Sequence, residues 1–195
     1  MSHRRASTDR IPGVLGVLGG TVLLLAFVVE IPAELNRLRL VLFFVGSIAV
    51  TLAVARRPVR GDRSMSIVAT VAIALNAASI SMVVLAIGRD HPFGGDFGLL
   101  WFWVGLATWL ADAAVGFVAW RLGTAHRLGA LVLAVGSVLA IVGMDRLGLS
   151  SATDITVFGR LGLLGVALNG VAWILLGLDL VLDLGRGGRQ AVSRA

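Results

Sequence analysis

The sequence predicts an all-α integral membrane protein, a compact bundle of six transmembrane helices with both ends in the cytoplasm. Three observations carry this prediction. First, the 195 residues are 57% hydrophobic and only 14% charged, with a mean hydropathy of +0.94. Soluble domains carry about 25% charged residues, and no soluble fold of this length hides so much apolar surface, so the bilayer is the solvent. Second, six apolar windows qualify, or nearly so, against the roughly 20 residues a spanning helix needs. Third, all 17 basic residues are arginine, and they are unequally shared between the two sides of those windows.

The first span, 11–31, follows Arg4, Arg5 and Arg10. Its apolar stretch is longer than a signal-peptide core and no A-x-A site follows, so it is read as a retained span. Pro32 forces a tight turn, and the second helix can begin from Ala33, with its apolar span at 35–55. Glu30 and Glu34 near Arg37 read as a local ion pair at the outer surface. The second loop carries Arg56, Arg57, Arg60 and Arg63, and the third span is 66–88. Next comes an outer loop with Asp90, His91 and Asp96, read as solvated side chains in preference to a metal site. The fourth span is 98–120. Trp101 and Trp103 at its outer end and Trp120 at its inner end fit an interfacial aromatic belt, which is preferred to a ligand cage of Trp101, Phe102 and Trp103. Arg121 and Arg127 follow, then the shortest span, 128–144, and finally 161–182.

The tails, 1–10 and 184–195, and the second and fourth loops hold twelve arginines. The opposite side holds five, namely Arg37, Arg39, Arg89, Arg146 and Arg160. The arginine-rich side is expected to be cytoplasmic. The same placement explains the isoelectric point near 11.6 without nucleic acid, because the charges punctuate spans and form no patch. The whole chain, 1–195, is read as a single domain. Arginine to the exclusion of lysine suits GC-rich coding, hence a bacterial inner membrane.

Asp112 lies in the fourth span. A carboxylate at membrane depth costs about 2.5–3.5 kcal/mol on insertion scales and marks a functional site by default. Desolvation there penalises the charged form, so the residue can hold a proton and, if the proton can leave, relay it. Asn76 is central in the third span and Asn169 in the sixth. All three lie on stripes of small residues, which let helices approach while polar side chains bond across the contact. Helical spacing puts Gly105, Thr108, Trp109, Gly116 and Ala119 beside Asp112, and Ala69, Ala72 and Ser79 beside Asn76. Gly162, Gly165 and Ala172 flank Asn169, and the same face carries Asp179 and Asp183. Those two acids oppose the macrodipole at a helix carboxyl end, so they are expected to pair with Arg121, Arg127 or Arg56. A point of cation or proton uptake is the other reading.

An internal 3+3 inverted repeat is a further expectation. Val45, Gly46 and Ser47 recur as Val135, Gly136 and Ser137, and Ala74, Leu75 and Asn76 as Ala167, Leu168 and Asn169. Transporters built this way hold substrate at the midplane between the repeats.

Absences narrow the chemistry. There is no cysteine, which excludes disulfides, thiolate metal sites and cysteine catalysis. His3, His91 and His126 all lie outside the spans, so neither a bis-histidine haem nor a buried Ser–His pair can form there. No HExxH, P-loop or GxGxxG motif occurs. No cofactor, metal or catalytic residue is expected. Two function classes remain. One is a small proton-linked carrier, with Asp112, Asn76 and Asn169 as proton or substrate groups and Thr108, Trp109, Ser79 and Asp179 as secondary candidates. The other is a non-catalytic module, a sensor, assembly partner or complex subunit, in which these residues only pack helices. The expected partners are the lipid bilayer and, for a module, a second copy or another membrane protein.

Overall fold

In a computed structural model the structure describes residues 2–25, 33–57, 63–86, 95–147 and 157–182. Those residues form six helices and no strand. The helices are α1 (Ser2–Leu25), α2 (Ala33–Ala55), α3 (Ser64–Leu85), α4 (Gly95–Leu122), α5 (Arg127–Leu147) and α6 (Val157–Leu182). Four of them contain stretches long and apolar enough to cross a bilayer: Arg37–Ala55, Ser64–Leu85, Asp96–Leu122 and Arg160–Leu182. The apolar stretches of α1 and α5 are shorter within the described residues, Arg10–Leu25 and Arg127–Gly143. The end of the first expected span, Glu30 and the loop carrying Asp90 and His91 lie outside the described residues, as does Asp183.

Each helix packs on its neighbours in the sequence, and α6 closes the ring against α1, with a smaller contact to α2. The closing seam depends on glycine. A side chain at Gly13 would meet Gly177 O at 2.6 Å, and one at Gly177 would meet Gly13 O at 2.5 Å and Val17 N at 2.8 Å. The two backbones are therefore closer than any larger residue allows, the arrangement by which small residues join helices in lipid.

The turn between α4 and α5 shows how local sequence sets the ring. Gly123 has φ 59°, the left-handed conformation that only glycine adopts at little cost. Gly123 N–H donates to Trp120 O at 3.3 Å and Thr124 N–H to Ala119 O at 3.1 Å, the paired bonds of a Schellman stop. Three residues on, α5 starts beneath His126, whose Nδ1 accepts from Gly129 N–H at 3.4 Å.

Polarity runs opposite to that of a soluble domain. Leu42, Leu52, Val71, Leu110, Phe117, Val138, Leu164 and Val171 are exposed, giving an apolar outer surface on every helix from α2 to α6. Inside, beside Phe43, Val50, Leu133 and Trp173, lie Ser47, Thr51, Asn76, Ser79, Thr108, Asp112, Ser137, Asn169 and Asp179, all buried. Among the aromatic residues at the ends of α4, Trp103 and Trp120 are exposed, as an interfacial belt requires.

Candidate functional site

Among the described residues, the buried polar side chains that bond to one another between helices form three separate groups. The first joins α3 to α4. Asn76 Nδ2 donates to Asp112 Oδ1 at 3.1 Å and to Ala72 O of its own helix at 2.9 Å. Asp112 is fully buried and Asn76 is 1% exposed. The second carboxyl oxygen, Asp112 Oδ2, and the amide oxygen, Asn76 Oδ1, have no hydrogen-bond partner among the described residues. One helical turn along both helices, Ser79 Oγ and Thr108 Oγ1 are 3.0 Å apart, and Thr108 Oγ1 also donates to Val104 O at 2.7 Å. This pair lies at the floor of a cavity of about 150 Å³ between α2, α3 and α4, walled by Leu40, Phe44, Trp101 and Trp109. Asp112 thus sits about 6 Å of helix rise beyond a cavity whose far wall is Trp101.

The register of α2 against this group is fixed by Phe43, whose ring lies 6.2 Å from that of Trp109. Ser47 follows Phe43 by one turn and Asp112 follows Trp109 by three residues, so both lie at one depth. Ser47 Oγ, and Thr51 Oγ1 a turn beyond, are buried without a hydrogen-bond partner. Sequence reading singled out neither hydroxyl as a site residue. Their signal was the four-residue spacing on the face that also carries Phe43, Gly46, Val50 and Val54.

The second group is Asn169, which does not join Asp112. Its Oδ1 accepts from Ser137 Oγ on α5 at 3.0 Å and its Nδ2 donates to Gly165 O at 2.9 Å. A side chain at Gly165 would strike Gly136 O at 2.6 Å, so the α5–α6 contact is tight and this polar pair is sealed within it. The third group is at the opposite end of the bundle from Trp101. Arg57 donates through one guanidinium nitrogen to Asp179 Oδ2 at 2.8 Å and to Thr124 O at 2.9 Å. The partner expected for Asp179 was Arg56, Arg121 or Arg127, and all three are exposed. The last turn of α2 explains the difference. Arg56 N–H bonds back four residues to Leu52 O, whereas Arg57 N–H bonds back only three to Val54 O. That tightening swings Arg57 inward and leaves Arg56 in solvent.

No family model, curated protein or solved structure matches this chain.

Proposed function

We propose that this chain is a six-span carrier in which Asp112 takes up and releases one proton as a small molecule crosses the bilayer. One observation supports it above the rest: the unpartnered oxygens on Asp112 and Asn76. The amide already donates to one carboxyl oxygen. A proton on Oδ2, donated to Asn76 Oδ1, would close an acid–amide ring and satisfy both orphans at once. Buried polar atoms without partners are costly, about 1–3 kcal/mol each, so the loaded and empty forms differ enough to drive a rearrangement. The cavity ending one turn away supplies a place for a second ligand. In this reading both ends of the chain face the cytoplasm, on the side of Arg57, and the cavity opens toward the outside.

The competing reading is a non-catalytic membrane module. It is favoured by Ser137 and Asn169, which bond only within the α5–α6 contact and serve as glue. Asp112→Asn separates the two. The new amide can donate to Asn76 Oδ1 as the protonated acid would, so the variant should fold like the parent. In proteoliposomes the parent should release protons on substrate addition and the variant should not. A complementary test is carbodiimide labelling across pH with the site located by mass spectrometry. Labelling of Asp112 that fades as pH rises supports the carrier. A site that never labels, in a protein that labels elsewhere, sinks it.

A further inference from the structure

We infer that the cavity between α2, α3 and α4 binds an uncharged molecule of about benzene's size that carries one hydrogen-bond donor, the chemistry of a simple phenol. A volume of roughly 150 Å³ is enough for a benzene ring, and the cavity is about that size. Phe44, Trp101 and Trp109 wall it, and aromatic walls favour an aromatic guest through offset or edge-on stacking. No charged side chain among the described residues lines it, so a cation would enter an apolar pocket without a counter-charge, which is expensive.

The polar floor sets the sense of the hydrogen bond. Thr108 has a single hydroxyl proton, and its shortest acceptor is Val104 O at 2.7 Å, against 3.4 Å to Leu75 O. With that proton committed, Thr108 Oγ1 accepts from Ser79 across their 3.0 Å contact. Ser79 Oγ is left with lone pairs and no proton to offer. A ligand at this floor must therefore donate. Calling the ligand a transported substrate rests on the carrier reading above; the binding itself does not.

The test uses the purified full-length protein in detergent, with 4-fluorophenol, 4-fluorotoluene and 4-fluorobenzylammonium followed by fluorine NMR against a detergent blank. The phenol should bind saturably and about tenfold more tightly than the toluene. Ser79→Ala should erase that preference while keeping the weaker binding. Gly105→Leu and, independently, Met82→Trp should fill the cavity and abolish both, in protein whose circular dichroism is unchanged. If neither filled variant folds, the Ser79→Ala comparison still decides. No saturable binding in the parent, equal affinity for phenol and toluene, or preference for the ammonium would overturn the inference. Those results would leave proton release by Asp112 untouched, and loss of proton release would leave phenol binding untouched, so the two readings fail separately.

Discussion

Asn76 and Asn169 are the same residue type, each near the middle of its helix, yet their surroundings give them different work. Asn169 has its side-chain carbonyl and amide occupied within one helix contact. Removing its partner should matter little: Ser137→Ala is expected to shift unfolding by about 0.6 kcal/mol, the average for a hydrogen bond between membrane helices, and to leave proton movement unchanged. Asn76 supports a carboxyl group that has no other hydrogen-bond partner among the described residues. Asn76→Leu should destabilise the fold by about 1–3 kcal/mol and alter the pH profile of proton release as well. Chemical denaturation in mixed micelles, run beside the proteoliposome assay, checks both. The sequence made Asp112 and Asn76 visible because a polar group in an apolar run stands out. It could not show which asparagine the acid would take. That depends on the rotation of α3 and α6 about their axes, which small residues on several faces leave open.

At the scale of elements, helix existence was legible and helix ends less so. Apolar runs set all six helices, but α4 starts at Gly95 and ends at Leu122, beyond the apolar window on both sides, because the stop is made by backbone bonds at Gly123 and not by hydropathy. The ion pair of Asp179 was misassigned for the same reason, since the tightened last turn of α2 decides which arginine points inward. That arginine joins the end of α2, the α4–α5 turn and α6. Arg57→Ala would remove the guanidinium that lies 2.8 Å from Asp179 Oδ2, and removing one member of a buried pair costs about 3–5 kcal/mol. The double variant Arg57→Met with Asp179→Leu should recover most of that loss in thermal unfolding, since well-packed apolar pairs replace buried ion pairs at little cost. Glycines make a second prediction. Gly116 lies against backbone of α5, with Ala134 N 2.6 Å and Ala130 O 2.7 Å from a substituent, so Gly116→Leu should prevent assembly. Gly129 faces side chains of α6 and no backbone, with Leu175 Cβ 3.1 Å and Leu176 Cδ2 3.2 Å from a substituent, so Gly129→Ala should cost far less than Gly116→Leu and still assemble. Size-exclusion profiles after membrane extraction report the difference.

For the whole molecule, the arginine count predicts orientation, and the absence of cysteine makes it simple to measure. Arg63→Cys and Arg127→Cys should react with an impermeant maleimide only in inverted vesicles, and Asp96→Cys only in intact cells; the reverse pattern would turn the protein over. The proposed internal repeat places Ser47 in correspondence with Ser137 and Asn76 with Asn169. Ser137 bonds Asn169, whereas Ser47 has no partner and Asn76 turns instead to Asp112. Whatever the ancestry of the two halves, the acid on α4 makes them chemically unequal.

The glycine seam between α1 and α6 bears on how the molecule is made. During translation α1 leaves the ribosome before α6, the helix that completes its packing. Until then the face of α1 that packs on α6 is uncovered, and α2 holds the helix in place. The ring therefore cannot close before α6 has been made. A chain interrupted after α5 would keep that glycine face open, and quality-control proteases could recognise it by the uncovered groove.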